Sequence, residues 1–110
     1  MVEYKTQLDI VFHSLSDPTR RDILKRITTK ELSVNEVAKP YQRQMSLAAV
    51  SKHLKVLENA RLIEKRRAGK QQFVILSPPA FKEVSKYIEQ YRKLWQDRLD
   101  RLEKYVIKNK

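Results

Sequence analysis

The sequence predicts a mainly α-helical domain with one small β-hairpin, an α+β arrangement of about five helices in which the last is long. Three observations predict it. Apolar residues recur every three or four positions over most of the chain. The period shortens to two only around residues 62–76, and N-caps and prolines fall at the joints between segments. The 110 residues leave room for one domain, 1–110, with one modest core.

The first helix is expected over Tyr4 to Leu15, within an N-terminal piece 4–16, because Leu8, Val11, Phe12 and Leu15 share a helical face. It stops at Ser16-Asp17-Pro18, where Asp17 is a good N-cap and Pro18 suits the first helical position. That opens both the second helix, to about Ile27 with Ile23, Leu24 and Ile27 inside, and the central unit 17–77. Leu32-Ser33 is a short extended link. Ser33-Val34-Asn35-Glu36 has the capping-box pattern that starts a short third helix, with Val34, Val37 and Ala38 inside and Pro40 as its stop. Residues 41–45 are expected as polar loop. A fourth helix then runs from the cap Ser46 to about Ala60, with Leu47, Val50, Leu54 and Leu57 on its inner stripe.

The β-rich runs 62–67 and 72–76 flank Ala68-Gly69-Lys70, which holds the chain's single glycine, and together they predict a hairpin. Ser77-Pro78-Pro79 starts the final helix, 78–107, whose apolar positions Phe81, Val84, Ile88, Tyr91, Trp95, Leu99, Leu102 and Val106 step by three or four.

A formal net charge of +11 speaks to partners rather than to fold. The excess is concentrated. Between Lys39 and Phe73 nine cations face only Glu58 and Glu64. Nucleic acid is the commonest partner for a small basic domain, with an anionic membrane or an acidic protein as the other classes. With no cysteine there is no disulfide framework, thiolate metal site or cysteine nucleophile. No apolar run reaches membrane-span length and the N-terminus has no signal-peptide layout, so a cytoplasmic address and no membrane partner are expected. No glycine-rich phosphate loop or nucleophile–base pairing is visible, so no enzyme is expected.

Helix, helix, recognition helix and basic hairpin in that order make a winged helix-turn-helix. An α-helix fits the major groove, and its N-terminal half usually reaches the base edges. Opposite the leucine stripe of the fourth helix stand Ala48, Lys52, Lys55 and Asn59, flanked by Ser51 and Ala49. The alanines allow close approach, Lys52 can reach a base edge or a phosphate, and Lys55 a phosphate. The free N–H groups beyond the Ser46 cap favour a phosphate as well. In the hairpin, Lys65, Arg66, Arg67, Gly69 and Lys70 form a wing suited to a phosphate strand or the minor groove.

Two stretches, Asp17-Pro18-Thr19-Arg20-Arg21-Asp22-Ile23-Leu24 and Val50-Ser51-Lys52-His53-Leu54-Lys55-Val56-Leu57, resemble the signatures of ArsR/SmtB-type winged-helix repressors. The segment from Phe81 to Tyr105, with Trp95 and Asp97-Arg98-Leu99-Asp100-Arg101-Leu102, is similar to one branch of that family. The resemblance implies a homodimer on a near-palindromic operator, usually repressing, with base contacts at positions matching Ala48, Ser51 and Lys52. Metal-sensing members carry cysteines where this chain has Leu32-Ser33-Val34-Asn35, and others carry histidines that Asp97, Asp100 and Glu103 lack here. No metal site or other cofactor is therefore expected, and those carboxylates are expected in ion pairs with Arg98, Arg101 and Lys104. The inducing signal is not written in any residue pattern. Arg61 stands where the family usually has glycine after the recognition helix, so a positive φ is expected there. Arg20 is expected in a structural ion pair, and His13 and His53 in hydrogen bonds or packing.

The final helix, about 40 Å long at ~1.5 Å per residue, overreaches a domain whose radius of gyration is ~13 Å. Its stripe reads as a dimer seam with Tyr91 and Trp95 as anchors, joined by Phe81, Ile88, Leu99 and Leu102 and by Leu8 and Phe12 of the first helix. Two-fold symmetry would set two recognition helices ~34 Å apart, one DNA turn. The alternative is a winged helix used as a protein-interaction module whose basic face docks an acidic partner. An RNA-binding role is weaker, because only Tyr41 and Phe73 are aromatic in the basic third.

Overall fold

A computed structural model describes residues 6–109, and the expected helix start at Tyr4 lies outside the described residues. Among the described residues, five α-helices surround a three-stranded antiparallel sheet of order β1-β3-β2. Helix α1 (Gln7–Leu15) is capped by Thr6, whose hydroxyl accepts the Asp9 N–H. Helix α2 (Pro18–Thr29) starts on Asp17, whose carboxylate accepts the Arg20 N–H at 3.1 Å, and it runs slightly past the expected Ile27. The capping box of α3 (Val34–Ala38) forms as expected. Ser33 Oγ accepts the Glu36 N–H at 3.1 Å, and Glu36 accepts the Ser33 N–H at 3.0 Å.

The Leu32–Ser33 link is more than a link. It is strand β1, pairing with Val74 and Phe73 of β3 (Gln71–Leu76), whose other edge carries β2 (Ile63–Ala68). Ala68 pairs with Gln71, so the hairpin closes on only Gly69 and Lys70, and Gly69 has φ +64°. A two-residue turn with positive φ at its first position suits glycine, which bears no Cβ to clash.

Two expectations of burial need correction. The predicted polar loop 41–45 begins one residue late, because Lys39–Tyr41 forms a 3₁₀ turn that buries Tyr41. The ring lies beneath the Arg26 guanidinium, 5.7 Å from its centroid, and the hydroxyl donates to the Asp22 carboxylate. Burial, then this hydrogen bond, push the Tyr41 hydroxyl above its ordinary pKa. Leu47 is not on the inner stripe of α4 (Leu47–Asn59) but is 55% exposed, because the core ends at Val50.

The core joins Val11, Ile23, Ile27, Val37, Val50, Leu54, Leu57, Leu62, Ile63 and Val74, so α1 to α4 and the sheet share one apolar interior. Among the described residues no buried side-chain nitrogen or oxygen lacks a hydrogen-bond partner.

Helix α4 ends on a Schellman motif, which explains Arg61. The Arg61 N–H donates to the Glu58 carbonyl at 2.9 Å and the Leu62 N–H to the Leu57 carbonyl at 3.1 Å. That closure needs a left-handed residue between Ala60 and Leu62, and Arg61 has φ +62°, as the resemblance to a family with glycine at this position implies. The apolar contact that accompanies such a cap comes from Leu57 and Leu62, both wholly buried. A left-handed conformation costs a residue with a Cβ roughly 1–2 kcal/mol, and glycine returns ~0.5–1 of that through its freer unfolded state. Arg61→Gly is therefore expected to stabilise the fold by about 0.5–1 kcal/mol, measured as a higher urea midpoint at unchanged slope.

Helix α5 (Pro78–Lys108) buries only Ala80 and Val84. Beyond Tyr87 its described side chains are all exposed, and the helix stretches the molecule to 65 × 32 × 29 Å. The radius of gyration is 18.7 Å.

Candidate nucleic-acid interface

The candidate interface is built on α4 and the β2–β3 hairpin. Ser46 Oγ accepts the Ala49 N–H at 3.1 Å and so fixes the first turn of α4. From that turn the packed side is held by Val50, Leu54 and Leu57, all buried. The opposite side presents Ala48, Ser51, Lys52, Lys55 and Asn59 to solvent, with Ser46 exposed ahead of them and Ala49 half-buried at the edge. Spacing of four residues aligns Leu47, Ser51 and Lys55 in one row and Ala48 and Lys52 in the next.

The orientation of α4 is tied to the first two helices through Arg20. Its Nε donates to the Ser14 carbonyl at 2.7 Å, one Nη to the His13 carbonyl at 3.3 Å, and the other to His53 Nδ1 at 3.2 Å. A guanidinium can only donate, so His53 Nδ1 accepts and the ring proton sits on Nε2. The expected carboxylate partner of Arg20 is replaced by carbonyls and an imidazole, because Asp17 is already engaged in capping α2. Burial opposes the charge on Asp17, yet the Arg20 N–H that it accepts and the nearby Arg20 guanidinium outweigh it and lower its pKa. His53 thus has the expected hydrogen-bonding role, whereas the His13 ring is exposed.

Helix α4 packs against β2, the strand that carries the wing cations. Arg66, Arg67, Gly69 and Lys70 are exposed and Lys65 is half-buried. Arg67 Nε donates to the Gly69 carbonyl at 3.3 Å, curling back over the turn. Arg66 is not free. Both oxygens of Glu31 accept from one of its nitrogens at 2.8 Å, on side chains that are 59% and 50% exposed. Nothing in the linear sequence marks Glu31, 35 positions away; only the β1–β3–β2 pairing brings the two together.

The expected dimer residues divide. Ile88, Tyr91, Trp95, Leu99 and Leu102 are exposed on α5, and Leu94, Tyr105, Val106 and Ile107 extend the apolar surface. Phe12 is also exposed and meets the Tyr87 ring edge-on at 5.9 Å, with Tyr91 a further 4.9 Å from Tyr87. Leu8 and Phe81 instead pack partly against their own core, since α1 and the first turns of α5 lie together over it. On α5 Asp100 accepts from Gln96 at 3.1 Å rather than from a cation, and the ion pair found there is Glu89–Arg92 at 2.7 Å. Among the described residues no three side chains of metal-ligating type come together.

Known proteins share this arrangement. Residues 15–66 match a helix-turn-helix domain family. The chain is 41% identical over 70 residues to the HTH-type transcriptional regulator Rv2034 of Mycobacterium tuberculosis, a match spanning 64% of each chain and so just under two thirds of that protein. Among solved structures, an ArsR family transcriptional regulator, RHA00566, superposes with a TM-score of 0.75 at 31% identity, over 87% of this chain and 97% of that one. The homodimeric winged helix-turn-helix DNA-binding domain of Mb0332 from Mycobacterium bovis, a possible ArsR-family regulator, superposes with a TM-score of 0.60 at 25% identity, covering 84% and 82% of the two chains.

Proposed function

Because the chain belongs to the ArsR family of winged helix-turn-helix transcriptional regulators, we propose that it is a homodimeric repressor of a near-palindromic site in double-stranded DNA. The observation that carries this is the solvent face of α4, where small residues and two lysines stand outward from a helix whose other side is locked into the core. Ser46, Ala48, Ala49, Ser51, Lys52 and Lys55 form the groove-facing surface. Lys65, Arg66, Arg67, Gly69 and Lys70 lie along the phosphates beside it, Arg66 exchanging Glu31 for a phosphate. The apolar side of α5, with Phe12, is the dimer seam, and the likeness to a homodimeric winged domain supports it. A dimer seated across two half-sites excludes other proteins from that stretch, which is repression by occupancy. The work of the chain is binding, and no reaction is assigned to it. A cytoplasmic location fits such a regulator, and no described helix is long and apolar enough to cross a membrane. Family membership favours DNA over an acidic protein as the target of the basic face.

Titration against duplexes selected from a random pool tests this reading. Binding is expected to weaken with salt along a log–log slope of about −0.9 per phosphate neutralised. Arg66→Ala with Arg67→Ala flattens that slope by up to about 1.8 per protomer while leaving the preferred sequence unchanged. Absence of binding to any duplex at low salt would overturn it.

A further inference from the structure

Leu47 is the largest apolar side chain exposed on α4, at the first helical position and 55% accessible. Its spacing three before Val50 would place it on the buried stripe, but the protein does not cover it there. It borders a small cavity of about 220 Å³ that Asn35, Ala38, Gln42, Met45 and Val50 also line, and this leaves more than half of the side chain in solvent. The Ser46 cap fixes the turn that carries it, so the side chain is presented from ordered backbone. Four and eight residues on, Ser51 and Lys55 continue the same row, both exposed.

We propose that Leu47 is a base-reading residue whose methyl groups contact the C5-methyl of one thymine in each half-site. This rests on the reading that α4 lies in the major groove. The thymine methyl is the one apolar group that the major-groove edges of the base pairs present. Leucine has no donor or acceptor, so it distinguishes bases there only through that methyl. Lys52 and Ser51, in contrast, read or hold polar atoms. The contact gives the site a preference for thymine at a position where no hydrogen bond is made.

The test replaces thymines one at a time with uracil in a selected duplex, which deletes the methyl and leaves the Watson–Crick pairing intact. Loss of one buried methyl lowers affinity about fourfold per half-site, hence about 15-fold when both symmetric positions are changed. Leu47→Ala is expected to weaken binding to the thymine duplex by at least that factor and to be indifferent to uracil at that position. Its melting curve should match the wild type, since Leu47 lies outside the core. Wild-type protein that binds the duplex yet tolerates uracil everywhere would overturn the assignment, as would Leu47→Ala that keeps the wild-type sensitivity. Either result leaves the DNA-binding reading standing. Failure of the wild type to bind any duplex removes that reading and the Leu47 contact with it.

Discussion

A chain carrying Trp95→Glu and Leu99→Glu is expected to fold as a monomer and to bind its palindromic duplex at least about 100-fold more weakly than the wild type. Both side chains are more than half exposed in the single chain, so their replacement removes no contact with the chain's own core. In a dimer they would lie at the centre of the seam, where two new carboxylates facing their symmetry mates repel each other and lose hydration. The winged core remains tied to α5 through Ala80 and Val84 and keeps its recognition surface. The lost affinity is that of the second half-site, since a linked pair of sites exceeds a single one by roughly 10²–10⁴. A second signature accompanies the first. Residues beyond Tyr87 make about 20 residues of helix with no partner in the single chain, and helices in proteins owe most of their stability to packing of an apolar face. The monomer should therefore lose part of the wild-type helical circular dichroism. Sedimentation and fluorescence anisotropy measure the two effects, and a variant that stays dimeric would place the interface elsewhere.

Arg20→Ala is expected to cost about 2 kcal/mol of folding stability, and a melting temperature lower by roughly 10 °C. The guanidinium bonds the carbonyls of His13 and Ser14 at the end of α1 and the ring of His53 on α4, so it joins three helices at one point. Hydrogen bonds to charged groups contribute more than neutral ones, about 1.5–3 kcal/mol each, and partial exposure here reduces the sum. Arg20→Lys should recover only part of the loss, because an ammonium cannot reproduce the planar fork that spans these acceptors. An Arg20→Ala chain as stable as the wild type, read by urea unfolding, would mean that the bridge from α2 to His13, Ser14 and His53 is dispensable.

Local signals in this sequence were legible where local physics decides. The Asp17 and Ser46 caps and the capping box at Ser33 follow from hydrogen bonds within a few residues, and the change of period around residue 62 from which side chains face the core. The left-handed Arg61 is expected from the family's glycine at that position. What was not legible depends on where the core ends. Leu47 fits the helical stripe but stands beyond the last packed layer, and Tyr41 sits among polar neighbours yet is drawn inside by Arg26 and Asp22. The Glu31–Arg66 pair and strand β1 arise from sheet pairing across some 35 to 42 residues, which periodicity does not encode. For the interface the residue types were readable on both elements. The division of Leu8 and Phe81 from the exposed α5 side chains was not, because one apolar stripe serves the core at its start and solvent at its end.

The most direct test is a map of backbone amide chemical shifts of the dimer on addition of a selected duplex. Perturbations should concentrate at residues 46–55 and 65–70 and leave the seam of α5 unmoved. Changes centred on α5 or α2, with 46–55 undisturbed, would show that the outward face of α4 is not what meets DNA.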